Sequence, residues 1–166
     1  MNRERRRHAA QQYMPKHVRI LLVAEAPPSD TDCYFYFCDV TSHDHLFRNV
    51  MLGLFGEKQL RMDKQKGLLK LKESAVFLID LNLDPVNGSD LIECVSDLVD
   101  RCRELTPDHI VLIKANVYDV AYDALSRAGL PVVDKRIYFP SHGRQREFLR
   151  QFREAIDSIG YRREQI

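Results

Sequence analysis

Polar and ionisable side chains stand at the ends of the apolar runs that the sequence predicts as strands. These runs span residues 17–24, 75–82 and 109–114, with shorter apolar pieces after residue 130. In an open parallel sheet the carboxyl ends of the strands meet at one edge, and ligands bind there. The sequence therefore predicts a ligand site at that edge. Its residues are Glu25, Asp80, Asn82, Lys114, Ser141 and His142.

Several of these residues also have a purely structural interpretation. Glu25 could cap the turn that follows the first strand, and Asn82 could be a turn former. Ser141 could be the N-cap of the last helix, because serine is a preferred residue at that position. His142 could be an ordinary surface residue. The case for a ligand site comes from the coincidence of these groups at one edge rather than from any one of them.

Asp80 and Lys114 have more than one possible role. Asp80 lies within an apolar strand, where a carboxylate is costly unless it is paired, so one interpretation is a buried ion pair with Lys114. Two other roles for Lys114 stay open. Its amine could bind a phosphate, or it could be a nucleophile of lowered pKa that forms a Schiff base.

The segment 33–37, which reads CYFYF, is an aromatic part of the loop after the first strand. Its rings could pack on the core. Alternatively, Tyr36 or Phe37 could stack on a planar base, since every nucleobase offers a π-face.

The segment 139–146, which reads FPSHGRQR, precedes the last amphipathic helix. Backbone amides at a helix start bind anions, and the guanidiniums of Arg144 and Arg146 would add charged donors. This segment is therefore predicted to contact phosphate.

Strands and helices alternate along the chain, which is typical of a parallel sheet covered by helices on both faces. We predict an α/β fold with three α/β/α layers and a central, mainly parallel four-stranded sheet. The fourth strand would come from the pieces 131–133 and 136–139. Ser42 and Ser89 are candidate helix caps. Residues 1–166 would form one domain, with residues 1–16 as a basic N-terminal arm or helix.

The bulk composition excludes some classes of protein. The net charge is +1, so no global field indicates a nucleic-acid or membrane partner. No apolar run reaches the roughly 18 residues that a membrane span needs, and the arginine-rich start lacks the apolar region of a secretory signal. Four scattered cysteines without a CxxC pair predict a reducing, cytoplasmic location.

With these residues in place, the chain resembles the uracil-DNA glycosylase superfamily. The segment 24–28, AEAPP, is similar to the first motif of that family, and FPSHGRQ at 139–145 is similar to its second. The segment VFLIDLNLDP at 76–85 occupies the place of the strand whose asparagine reads uracil. The resemblance implies a parallel four-stranded sheet between helices, and hydrolysis of a base–sugar bond after the nucleotide is flipped out of the DNA stack.

The resemblance also assigns a role to each candidate residue. Glu25 would orient water, Tyr36 or Phe37 would stack on the base, and Asp80 or Asn82 would read its edge. Ser141 would hold a phosphate, and His142, Arg144 and Gln145 would form the loop that enters the groove, beside the phosphate contact already predicted for Arg146.

The resemblance further implies DNA as the partner, and we expect the protein to act as a monomer. Some members of the family hold an iron–sulfur cluster on four cysteines. Cys94 matches one of these positions, but the chain has no N-terminal cysteine pair. We therefore predict that the protein uses no cofactor and no metal.

The motifs also depart from the family. Ala24 and Pro28 replace two glycines, Asp80 replaces the base-reading asparagine, and Phe139 replaces the histidine of the second motif. Loss of such a hydrogen-bond donor costs on the order of 10²–10³ in rate. The alternative is thus an inactive or repurposed member that binds nucleic acid or a nucleotide in the same cleft. A third hypothesis is a small-molecule enzyme that uses Glu25, Asp80 and Lys114.

Overall fold

The computed structural model describes residues 2–40, 44–85 and 90–162. The strands in these ranges are β1 Ile20–Ala24, β2 Val76–Asp80 and β3 His109–Leu112. The α-helices are α1 Asn2–Gln12, α2 His45–Phe55, α3 Lys64–Glu73, α4 Val95–Leu105, α5 Ala115–Arg127 and α6 Gln145–Ser158. Two 3₁₀ helices, Glu57–Arg61 and Leu91–Cys94, precede α3 and α4.

The strands form a parallel sheet in the order β2-β1-β3. Ile20 pairs with Val76 on one side of β1 and with His109 on the other. Every residue of β1 is buried, which agrees with its continuous apolar sequence, because a central parallel strand is covered on both faces. The predicted α/β class and parallel pairing are confirmed.

The prediction of a fourth strand is wrong. The chain after α5 does run beside β3, but only two isolated parallel bridges join it there, Ile110 to Val132 and Ile113 to Ile137. Lys135 N donates to Val133 O between those bridges. This local turn takes the chain away from β3, so continuous pairing stops and the sheet described has three strands.

The helices pack as pairs as well as onto the sheet. α2 contacts α6, and α4 contacts α5. Gly53 on α2 faces the ring of Phe152 on α6, and an added Cβ there would lie 2.4 Å from Phe152 Cδ1. Gly53 therefore lets the two helices approach closely. The predicted caps Ser42 and Ser89 lie outside the described residues.

The predicted N-terminal arm or helix is the helix α1, held against the end of β2. Arg3 forms an ion pair of 2.6 Å with Asp84, and Arg6 donates to Leu83 O at 2.9 Å. None of the described helices has the length and the apolar character that a membrane crossing requires.

Candidate functional site

A cavity of about 270 Å³ opens where β1, β2 and β3 end. We call it the strand-end cavity. Glu25, Asp80 and Lys114 all line it, so three residues from three different strand ends contribute to one space. Its other walls include prolines and aromatic rings from the loop after β1 and from the chain before α6: Pro27, Pro28, Tyr34, Phe35 and Phe139.

Glu25 is the most constrained of these side chains. Lys114 Nζ donates to its Oε2, and Asn116 Nδ2 donates to its Oε1 at 2.8 Å. The side chain of Glu25 is 18% exposed and that of Lys114 is 36% exposed. Both carboxylate oxygens are thus held by groups at the start of α5, which fixes the orientation of the carboxylate toward the cavity.

The ion pair of Lys114 differs from the sequence interpretation, which paired it with Asp80. Because β1 lies between β2 and β3, the end of β3 is adjacent to Glu25 and separated from Asp80 by a strand. The amine of Lys114 meets the carboxylate that follows the adjacent strand, that of Glu25. The order of the strands in the sheet, which the pattern of apolar runs in the sequence does not reveal, therefore decides which acid pairs with Lys114.

Asp80 is buried, with 8% of the residue exposed. Burial raises the pKa of its carboxyl to about 7, and the nearby guanidiniums of Arg101 and Arg6 oppose this rise only in part. Arg101 directs its donors to other acceptors, the main-chain oxygens of Asp80 and Leu81 at 2.8 and 2.9 Å. At neutral pH Asp80 is therefore present in both the protonated and the ionised form.

Lys114 occupies an unusual backbone conformation. Its φ is 104°, a region that favours glycine, and it stands directly before the first residue of α5. Its Nζ lies 5.7 Å from the centroid of the Phe139 ring. A non-glycine residue in such a conformation costs about 1–3 kcal/mol and is typical of functional sites.

The aromatic segment contributes to the cavity through residues other than those predicted. Tyr36 is buried in the core, where its hydroxyl donates to Leu78 O at 2.8 Å and accepts from Leu78 N at 2.7 Å. Phe37 is buried beneath the guanidinium of Arg5, 4.3 Å from its centroid. Tyr34 and Phe35 line the cavity instead. The alternation of CYFYF does not say which rings face outward, because the segment is not a strand.

A buried ion pair that the sequence did not indicate supports this wall. Lys64 Nζ lies 2.7 Å from Asp44 Oδ2, with side chains 7% and 16% exposed. Burial lowers the pKa of Lys64 and raises that of Asp44. Lys64 also donates to Tyr34 O at 3.2 Å. One side chain therefore ties the aromatic segment to the start of α2, beside a carboxylate that lines the cavity.

Of the segment 139–146, which the sequence predicts to contact phosphate, only Phe139 lines the strand-end cavity. Ser141 is not the helix cap, because α6 begins at Gln145 and Arg144 occupies the cap position. His142 and Gly143 turn the chain with φ of 51° and 80°. The guanidinium of Arg144 lies 4.3 Å from the Tyr138 centroid. Gln145 and Arg146 are exposed in the first turn of α6.

Asn82 does not line the strand-end cavity. Its Oδ1 accepts from Asp84 N at 3.1 Å, and its N donates to Glu25 O at 2.8 Å. It therefore forms the turn after β2, the structural interpretation that the sequence left open.

The described residues contain no group of three or more His, Cys, Asp or Glu side chains arranged to hold a metal ion. The chain matches no model of a known protein family and no curated protein. Fold and site together define an α/β protein with a strand-end cavity that combines a fixed carboxylate, a buried carboxyl and aromatic walls.

Proposed function

We propose that the strand-end cavity binds a nucleobase and that the protein hydrolyses the bond between that base and its sugar, as a divergent member of the uracil-DNA glycosylase superfamily. One observation carries the proposal. Two carboxyl groups in different environments line one aromatic-walled cavity from adjacent strands: Glu25, with a cation and an amide on its oxygens, and Asp80, which is buried and has a raised pKa. Acids held in different environments commonly divide acid and base roles.

Asp80 is suited to recognise the edge of a base. A protonated carboxyl has one O–H donor and one carbonyl acceptor, the same combination that a side-chain amide offers. With its pKa raised to about 7 by burial, Asp80 supplies that combination at and below neutral pH. The aspartate in place of the family asparagine is thus compatible with base recognition, and it makes recognition dependent on pH.

Glu25 is suited to orient water at the sugar carbon. Lys114 and Asn116 each occupy one site on its two oxygens, and each carboxylate oxygen has two lone pairs. The remaining lone pairs can accept a hydrogen bond from water. The negative charge would also stabilise the positive charge that develops on the sugar as the bond to the base breaks.

The aromatic walls favour a planar ligand. Tyr34, Phe35 and Phe139 contribute rings to the cavity, and stacking on an aromatic ring contributes about 1–3 kcal/mol per base. The turn with Ser141 and His142, followed by Arg144, Gln145 and Arg146, would contact the phosphates of the strand. Exposed guanidiniums bind phosphate well.

A second candidate function is binding of a base or nucleotide without hydrolysis. It is favoured by the two hydrogen bonds that already engage Glu25, because they occupy a lone pair on each oxygen that would otherwise be open to water. Phe139 also leaves the departing base without the donor that a histidine would provide.

A cleavage assay with paired variants separates these functions. Duplexes and single strands that carry uracil, hypoxanthine, xanthine or alkylated bases are incubated with the protein, and alkali-labile breaks are scored. We expect Asp80→Asn to keep activity and Asp80→Ala to lose it, because the amide preserves the donor–acceptor pair. Glu25→Gln should lose activity, while Glu73→Gln, an exposed carboxylate at the end of α3, should not.

The pH profile provides an independent check. Wild-type cleavage should decline about tenfold per pH unit above roughly pH 7, and Asp80→Asn should abolish that decline. Binding of the same strands without cleavage supports the second candidate. If the protein neither binds nor cleaves any of these strands, both candidate functions are refuted.

A further inference from the structure

A second cavity, of about 370 Å³, lies between α1, the end of β2 and α4. We call it the arginine cavity. Its walls include Tyr34, Leu78 and Asp80, which also line the strand-end cavity, so the two spaces are neighbours that share these wall residues. The proposed glycosylase function does not use this cavity.

The floor and rim of the arginine cavity differ in chemistry. The floor is apolar, with side chains such as Phe77, Ile79 and Leu105. Met14 and Leu83 also line it, and they are 38% and 37% exposed, which places them among the most exposed large hydrophobic residues described. Exposed apolar surface that is concave and concentrated in one place is typical of a ligand site.

The charge inside the cavity is positive. Arg6 and Arg101 line it with side chains only 11% and 19% exposed. Their carboxylate partners, Asp84 and Asp97, are 52% and 59% exposed and lie toward solvent. Water screens an exposed carboxylate more than a buried guanidinium, so the partners do not cancel the field that the guanidiniums produce within the cavity.

The rim adds two more guanidiniums. Arg3 and Arg7 line the cavity with side chains 60% and 70% exposed. Arg7 makes a long ion-pair contact of 3.7 Å with the exposed Glu4. Two acidic side chains, Asp80 and Glu104, also contribute to the lining. Glu104 is exposed to solvent. Asp80 is buried, and its protonated form, which predominates below about pH 7, carries no charge that would repel an anion.

We propose that the arginine cavity is a binding site for a small amphipathic anion, whose apolar body lies on the floor and whose carboxylate, sulfonate or phosphate meets the arginines. An apolar floor alone would accept any hydrophobic compound. The two largely buried guanidiniums make the site selective for negative charge, because a cation placed there would face like charge whose carboxylate partners lie toward solvent.

The site can be probed with 1-anilinonaphthalene-8-sulfonate, whose fluorescence reports transfer into an apolar environment. Octanoate, octan-1-ol and octylammonium share one alkyl chain and differ in charge, and all are used below their aggregation concentrations. Octanoate should displace the probe at a concentration at least about tenfold lower than octylammonium. Equal competition by octylammonium would contradict the proposal.

Two cavity-filling variants locate the site. Ala10 lines the arginine cavity and Ala26 lines the strand-end cavity. Ala10→Phe should weaken octanoate binding at least about tenfold, while Ala26→Phe should leave it unchanged. Arg7→Glu should weaken binding at low salt, whereas Arg127→Glu, an exposed charge in the last turn of α5, should not. The reverse result for either pair would refute the assignment.

A measurement on the unchanged protein covers the case in which a variant does not fold. In methyl-resolved NMR spectra, octanoate should shift the methyl signals of Met14, Leu83 and Leu105, which line the arginine cavity. The methyl signals of Leu46, which lines the strand-end cavity, should stay in place. A shift of Leu46 without a shift of Met14 would place the ligand elsewhere. Because this test needs no cleavage, its outcome is independent of the glycosylase proposal.

Discussion

Lys114 forms its ion pair with Glu25, the residue that follows the central strand β1, and not with Asp80 at the end of β2. This relationship assigns different environments to the two acids of the strand-end cavity. Glu25 has a cation and an amide on its oxygens. Asp80 is left in a buried position where only two guanidiniums oppose the cost of ionisation. The different environments on which the proposed chemistry depends follow from this choice of partner.

The first prediction concerns the pH dependence of stability. The folded-state pKa of Asp80 is raised to about 7, above the value of about 4 expected for the unfolded chain. Between these values the folded state holds a proton that the unfolded state has lost, so the free energy of unfolding falls as pH rises through this window. Above about pH 7 the destabilisation is complete, on the order of 4 kcal/mol.

Urea unfolding at pH 5 and pH 8 measures this effect. Asp80→Asn should reduce the loss of stability between the two pH values by on the order of 2 kcal/mol relative to the wild type. Asp123→Asn, on the exposed side of α5, should not. An unchanged difference in Asp80→Asn would mean that Asp80 titrates near its ordinary pKa.

The second prediction concerns the buried pair of Lys64 and Asp44. Lys64→Met should lower the free energy of unfolding by about 3–5 kcal/mol, because it leaves a largely buried carboxylate without its cation. The double variant Lys64→Met/Asp44→Leu should recover part of that loss. Lys66→Met, which breaks an exposed pair with Asp63, should change stability by less than about 1 kcal/mol. A similar effect from both lysines would show that burial does not strengthen the first pair.

The third prediction concerns the backbone of Lys114, whose φ is 104°. Lys114→Ala and Lys114→Gly both remove the amine, so they differ only in the side-chain carbon. The glycine variant should be more stable to urea by about 1–3 kcal/mol, because glycine adopts this conformation without strain. At Ser126, an exposed position within α5, the order should reverse, with glycine about 1 kcal/mol less stable than alanine.

The fourth prediction concerns the close approach of α2 and α6. Gly53→Ala should destabilise the protein by about 1–3 kcal/mol although alanine favours helix, because its Cβ would lie 2.4 Å from Phe152 Cδ1. The same change should cost less in a Phe152→Leu background, as thermal unfolding of the four proteins of a double-mutant cycle would measure. Equal costs in both backgrounds would mean that the two residues do not limit the approach.

The sequence by itself determined the α/β class, the three paired strands and the sheet edge at which Glu25, Asp80 and Lys114 lie. Continuous apolar runs predicted the strands, because parallel strands are buried on both faces. Of the six polar residues predicted at that edge, three line one cavity and Asn82, Ser141 and His142 do not. Glu25, Asp80 and Lys114 all line the strand-end cavity there. These features are local, so a pattern along the chain is enough to reveal them.

Tertiary structure alone decided the strand order, the partner of each charge and the rings that face the cavity. Strand order sets Lys114 beside Glu25. The docking of α1 and α4 brings Arg6 and Arg101 near Asp80, and core packing turns Tyr36 inward while Tyr34 reaches the cavity. Each depends on contacts between residues far apart in the chain. Burial and electrostatics, which set the pKa of Asp80, exist only once those contacts have formed.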